Sequence, residues 1–295
     1  MGGVIQQLVN ALSLGSTYAL LALGLAMVFG VLGLINFAHG ELMTIGGYAL
    51  SFAALAGLPF PLCILLGCAA ATIAAVAMER VAFRPLRGSD TASMLISSFA
   101  VSAVLQVLFH NMISGRFIAT QVPSWMMATM SLGAVEINRI HLLTIGVTAV
   151  FLAGLTMFLR RAPLGLAMRA AAVDFPATRL MGVRANSVIA AAFGLSGLLA
   201  GVASVTWVAQ RGGVDPWMGF TPVLKAFVAV ILGGLGSLPG AVAGGFVLAF
   251  IEISLRGFLP AAFLPFSDAI AFVLVIALLL FRPEGLLGRR SEQRR

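Results

Sequence analysis

The chain has 295 residues, of which 60% are hydrophobic and only 9% are charged. A soluble globular domain carries about 25% charged residues, so this composition excludes a soluble protein. The net charge of +8 does not indicate a nucleic-acid partner, because the basic residues are scattered in short loops between long apolar segments. The composition predicts a polytopic membrane protein.

The apolar segments are continuous rather than alternating, which favours membrane-spanning helices over barrel strands. The two segments that flank the Gly-rich stretch 233–240 are too short for two ordinary spans, and we expect a broken or re-entrant hairpin there. We therefore predict an all-α transmembrane bundle with eight or nine passages, and the sequence shows no convincing internal repeat. The segments lie near residues 7–33, 36–57, 62–79, 91–113, 141–159, 188–210, 223–235, 238–256 and 268–281.

The basic residues predict the orientation of the bundle. Three groups of loops on one side hold three, five and five arginines, which is 13 of the 18 basic residues. By the positive-inside rule these loops are cytoplasmic, so the N-terminus lies outside and the C-terminus inside. We expect one transmembrane domain over residues 1–288 and a basic cytoplasmic tail over 289–295. The arginines are Arg80, Arg84, Arg87, Arg160, Arg161, Arg169, Arg179, Arg184, Arg282, Arg289, Arg290, Arg294 and Arg295.

Two connections are long enough to have structure of their own. Residues 114–140 form an external connection whose amphipathic character suits a position at the lipid interface or against a partner. Residues 160–187 form a basic internal loop with helix signals. Asp174 is placed as an N-cap, Pro176 lies in a first turn, and Gly182 is placed as a C-terminal left-handed residue. These signals predict a short helix at about 176–181, outside the membrane.

Catalytic and metal-binding patterns are missing. A P-loop needs a lysine directly before Ser or Thr, and the single lysine, Lys225, precedes an alanine. The three histidines lie in separate segments, and Cys63 and Cys68 share one apolar segment as small buried side chains. We therefore expect neither an enzyme nor a cofactor bound by this chain.

A few polar side chains lie in segments where lipid would not favour them. Ionisable groups at membrane depth usually face a bundle interior or water, so Asn36, His39, Glu41 and Lys225 are candidates for a translocation path. Interfacial positions and helix caps are the alternative, in which Asn36 and His39 close a turn before Gly40. The residues are Asn36, His39 and Glu41 at the first junction, and Lys225, Glu252 and Asp268 in the late segments.

Glycines cluster between the seventh and eighth segments. Gly240 and Gly244 have the spacing that lets helices pack closely. The alternative is a broken helix whose freed backbone groups line a path, with Gly233, Gly234 and Gly236 as candidates. The residues alone leave open an ion-coupled secondary transporter, which would show the same features.

Four stretches are distinctive in combination and order: 36–48 (NFAHGELMTIGGY), 165–183 (GLAMRAAAVDFPATRLMGV), 225–240 (KAFVAVILGGLGSLPG) and 281–288 (FRPEGLLG). Together they resemble the LivH-type permease subunit of branched-chain amino acid ABC importers, over nearly the whole chain. The resemblance implies an ABC importer permease fold and transport of branched-chain amino acids. Importers of urea, amides and other amino acids use similar permeases, so the substrate stays open.

The resemblance also implies an assembly in the bacterial inner membrane. Such importers pair this subunit with a second, LivM-like permease, two cytoplasmic ATPase subunits that bind ATP and Mg²⁺, and a periplasmic or extracellular solute-binding protein. By analogy, the internal loop would carry a coupling helix for the ATPase. The coupling residues would be Arg169, Asp174, Ala177, Arg179 and Gly182.

Overall fold

The computed structural model describes residues 2–132 and 135–288, and the basic tail 289–295 lies outside the described residues. The α-helices are α1 (Gly2–Leu32), α2 (His39–Leu55), α3 (Phe60–Met78), α4 (Thr91–Leu108), α5 (Ser124–Met127), α6 (Arg139–Arg161), α7 (Pro163–Val173), α8 (Phe175–Leu180), α9 (Ala185–Arg211), α10 (Phe220–Gly233), α11 (Leu238–Phe258) and α12 (Ser267–Phe281). One wider turn, Glu79–Phe83, extends α3 and another, Phe109–Ile113, extends α4.

Each of the nine predicted apolar segments contains a helix. Among the described residues, seven helices are long and apolar enough to cross a membrane. The other two are α2 with 17 residues and α10 with 14 residues, which are about 25 Å and about 21 Å long. The predicted helical bundle is confirmed, and two of its members are shorter than a bilayer core is thick.

These two short helices begin inside the bundle. After α1 ends at Leu32, the segment 33–38 turns back into the bundle. The ring of His39 therefore packs against Gly24, about two helical turns before the end of α1. From the opposite side, the buried segment after α9 runs along α2 until Gly219 lies against Gly40. The N-termini of α2 and α10 therefore meet within the bundle, and we call these two the half-helices.

The helices form two sets with the same packing and opposite direction. The contact of α1 with α11 corresponds to the contact of α9 with α3. In the same way, α2 contacts α3 and α9, and its counterpart α10 contacts α11 and α1. The first set is α1 to α4 and the second is α9 to α12, an inverted repeat of the kind seen in many transporters. No convincing repeat is evident in the sequence, because this repeat consists of packing relations that side-chain identity does not preserve.

The basic loops gather at one end of the bundle. The ends of α1 and α3, the helices α7 and α8 and the turn between α10 and α11 line shared cavities there. At the same end, Asp90 caps α4 by accepting hydrogen bonds from the backbone N–H and hydroxyl of Ser93 at 3.2 and 2.6 Å, and these bonds lower the pKa of Asp90.

The opposite end holds the small strands of the molecule. β1 (Ile118–Ala119) pairs antiparallel with β4 (Gly213–Val214), and β2 (Thr129–Leu132) pairs antiparallel with β3 (Val135–Asn138). The external connection thus contains short strands together with the short helix α5, whose Trp125 is exposed and whose Met126 is buried. The basic loops and the long connection therefore lie at opposite ends of the bundle, and the assignment of the basic end to the cytoplasm stays a prediction.

Candidate functional site

The start of half-helix α2 is held by buried polar contacts. The backbone N–H of His39 donates to the carbonyl of Asn36 at 3.2 Å, which closes the predicted turn. The His39 ring nitrogen Nδ1 lies 3.0 Å from Ser196 Oγ on α9. Both side chains are buried. Asn36 and His39 therefore fix the re-entrant segment within the bundle.

Glu41 joins the half-helix to α4. Its Oε1 accepts hydrogen bonds from Ser102 Oγ at 2.9 Å and from Gln106 Nε2 at 2.8 Å. Its second oxygen is buried and has no hydrogen-bond partner among the described residues. Both donors are neutral, so this contact needs one acceptor oxygen and no cationic partner. Sequence reasoning missed Ser102 and Gln106, which look like ordinary polar residues of an apolar helix.

Lys225 of the second half-helix lies in a cluster of charges. Its Nζ donates to Glu252 Oε2 at 2.9 Å and to Asp268 Oδ1 at 3.1 Å. Tyr18 donates its hydroxyl to the same Glu252 oxygen at 3.1 Å, and Arg256 lies within 4 Å of both carboxylates. Lys225 and Glu252 are buried, whereas Asp268 and Arg256 are about half exposed. Two cations and two anions balance one another, as burial requires.

The predicted path glycines lie at a third place, the turn between α10 and α11. Gly233 packs directly on Gly240, so the two helices form the predicted hairpin. Gly234 and Gly236 have positive φ angles of 107° and 86°, which allow the turn. The structure therefore distributes the predicted path residues over three places. Their role in translocation stays a prediction.

The chain's C-terminal segment caps this turn. The backbone N–H groups of Leu286 and Leu287 donate to the carbonyls of Leu232 and Gly233 at 2.8 and 3.0 Å. These carbonyls end α10 and would otherwise lack partners. The broken backbone is thus satisfied by the stretch 281–288, whose structural role sequence reasoning missed.

A cavity of ≈ 570 Å³ joins the turn to the internal loop. Arg169 of α7 and Gly236 of the turn both line it, together with residues of α1. One predicted coupling residue and one predicted path residue therefore share a space.

The internal loop folds as the helix signals predict. The short helix is present as Phe175–Leu180, and Asp174 Oδ1 accepts the backbone N–H of Ala177 at 2.9 Å. Gly182 has φ +82°, the left-handed conformation. Beside it, Val173, Leu180 and Met181 are 82%, 89% and 84% exposed. We call these three residues the apolar tip. Large apolar side chains this exposed indicate a surface that a partner covers.

Metal ligation has no basis in the described part of the chain. No group of three His, Cys, Asp or Glu side chains is placed there to hold a metal ion. The candidate sites consist instead of buried hydrogen bonds, one balanced charge cluster and an exposed helical loop.

Known proteins resemble this chain over nearly all of its length. Residues 7–279 match the family model described as the permease component of the branched-chain amino acid transport system. The high-affinity branched-chain amino acid permease protein BraD of Pseudomonas aeruginosa is 42% identical over 97% of this chain and 96% of its own. LivH of Salmonella typhimurium is 37% identical over 97% and 96%, respectively. LivM of Escherichia coli is 27% identical over 97% of this chain and 71% of its own.

Proposed function

The chain belongs to the family of branched-chain amino acid transport permeases, and from that premise we propose that it forms part of the membrane path of an ATP-driven importer for these amino acids. The relatives named above are permeases of high-affinity branched-chain amino acid systems, which supports this substrate class. A path with few charges suits the side chains of leucine, isoleucine and valine. The importer would lie in the bacterial inner membrane.

The partners follow from what this chain lacks. Its single lysine is outside any P-loop, so ATP and Mg²⁺ would bind to two separate ATPase subunits. The relatives include LivH and also LivM, which supports a second, LivM-like permease beside this one. A solute-binding protein would deliver the substrate to the end that carries the strands and α5.

The observation that carries the proposal is the apolar tip of the internal loop. It lies on the basic end, beside Arg179, and no other part of the described chain covers it. We assign it to the ATPase contact, with Asp174 and Gly182 holding the shape of α8. Closure of the ATPase pair would move α7 and α8, and α7 packs on α1 and α9 of the central bundle.

Replacement of Gly182 by valine tests the coupling role. The site has open space around it, so the valine meets no neighbour, but φ +82° is unfavourable for a β-branched residue. The cost of about 1–2 kcal/mol would reshape the end of α8. We expect ATP-driven uptake of labelled leucine into proteoliposomes to fall about tenfold, since tenfold corresponds to about 1.4 kcal/mol, while the ATPase still copurifies.

Gly154→Val is the matched control. Gly154 also has open space around it, lies on the exposed face of α6 and has no positive φ. Its uptake should equal that of the wild type. Unchanged uptake by Gly182→Val would show that the segment does not couple ATP hydrolysis to transport.

A further inference from the structure

A second cavity lies at the basic end, and the proposed transport cycle assigns no occupant to it. Its volume is ≈ 850 Å³, and it lies between the end of α1, the loop between α3 and α4, and the segment from α8 to the start of α9. Within the described part of the chain, no acidic residue lines it. Its lining divides into a basic part and an apolar part.

The basic part consists of three arginines and the start of α9. Arg87 is already engaged, because it pairs with Glu79 and donates to Asn186. Arg179 and Arg184 are exposed and form no ion pair with any described residue. α9 has no side-chain cap, so its first N–H groups add partial positive charge beside Asn186.

The apolar part comes from membrane helices. Leu32 ends α1 and Leu34 follows it, and Phe83 ends the turn that extends α3. Met94 lies in the first turn of α4, and Ile189 lies in the second turn of α9. A free phosphate would match the arginines and leave these side chains uncovered. An acyl chain alone would match the apolar wall and leave the arginines without an anion. A molecule that joins both chemistries fits the whole lining.

We propose that this cavity binds an acidic phospholipid of the inner leaflet, with its phosphate at Arg179 and Arg184 and part of an acyl chain against Leu34 and Phe83. Basic pockets between helices on the cytoplasmic side commonly hold anionic headgroups. Because Phe175 and Arg179 of α8 line the same cavity, the lipid contacts the segment that leads to the apolar tip. The proposal concerns lipid binding and holds whatever solute the chain transports.

Native mass spectrometry of the purified full-length chain measures this binding directly. We expect phosphatidylglycerol to bind in preference to phosphatidylethanolamine with the same acyl chains. One arginine near a membrane surface contributes about 1 kcal/mol, so Arg184→Gln should weaken phosphatidylglycerol binding about fivefold. The double variant Arg179→Gln with Arg184→Gln should weaken it about 25-fold, and Arg184→Lys should retain most of it.

Arg84→Gln is the matched control, because Arg84 is an exposed arginine of the same basic end that does not line the cavity. An equal loss in this control, or equal binding of the two lipids, would reduce the effect to general surface charge and overturn the proposal. Displacement of phosphatidylglycerol by millimolar inorganic phosphate would identify a free-phosphate site instead. Displacement by assembled ATPase subunits would identify a protein contact, which also overturns it.

Discussion

The half-helices α2 and α10 occupy equivalent positions in the two inverted sets, yet different polar contacts hold them. In the first set, Glu41 of α2 accepts hydrogen bonds from Ser102 and Gln106 of α4. In the second set, Lys225 of α10 pairs with Glu252 of α11 and with Asp268 of α12. Each of these contacts joins a half-helix to other helices of its own set, and we call the two contacts the first tie and the second tie.

The difference shows that each half-helix is held by buried polar contacts, and that either hydrogen bonds from neutral groups or ion pairs can supply them. The first tie is made of neutral donors and one carboxylate oxygen, so shape and hydrogen bonding sustain it. The second is made of full charges, and removal of Lys225 leaves buried Glu252 with only the half-exposed Arg256 at 3.8 Å as a cation. The two sets should therefore respond differently to loss of charge.

The largest effect is expected at Lys225. Lys225→Met removes the cation from Glu252, which is 1% exposed, and breaking a buried pair this way costs about 3–5 kcal/mol. The midpoint of thermal unfolding of the detergent-purified chain should fall sharply. Lys225→Met combined with Glu252→Gln should recover much of the loss, because the orphaned charge is gone. A double variant as unstable as the single one would contradict the charge-balance interpretation.

A smaller effect is expected where the glycines let each half-helix approach its neighbour. A methyl group at Gly244 would overlap the backbone carbonyl of Ala229, and one at Gly67 would lie 2.9 Å from the carbonyl oxygen of Gly46. Neither carbonyl can move away without disturbing its helix. Gly244→Ala should therefore lower the free energy of unfolding by about 1–3 kcal/mol, and Gly67→Ala should lower it by less. Thermal unfolding checks both, with Gly154→Ala as the unhindered control. The reverse order would show that the first set is the more tightly packed.

The smallest effect is expected for Glu41→Gln. The glutamine carbonyl can accept the same two hydrogen bonds, so the free energy of unfolding should change by less than about 1 kcal/mol. Glu41→Ala leaves Ser102 and Gln106 without their acceptor and should cost about 1–3 kcal/mol. If Glu41→Gln destabilised the chain as much as Lys225→Met, the first tie would depend on charge and the comparison between the two sets would fail.

Local features of the fold were predictable from the sequence. Each of the nine apolar segments contains a helix of the bundle, seven of them long enough to cross a membrane among the described residues, since hydropathy is a property of each segment by itself. The α8 helix was predictable because Asp174, Pro176 and Gly182 act within a few residues of one another. The turn at Asn36 and His39 followed from the same short-range chemistry.

Features that depend on distant residues were not predictable. Nothing near Glu41 indicates Ser102 and Gln106, which lie about 60 residues away and meet it only through helix packing. The cap that Leu286 and Leu287 place on α10 joins residues about 54 apart. The inverted repeat is also a set of long-range packing relations, which a single sequence does not display. The translocation and coupling roles of the candidate residues stay predictions.

Purification of the tagged chain from its native membranes tests whether it is the permease subunit of an ATP-driven importer. We expect an ATPase pair and a second, similar permease to copurify, and we expect the reconstituted assembly to take up leucine only with ATP and the solute-binding protein. A chain that purifies alone and moves solute in proteoliposomes without ATP would rule out an importer subunit. Lys225, Glu252 and Asp268 would then be candidates for ion-coupling groups.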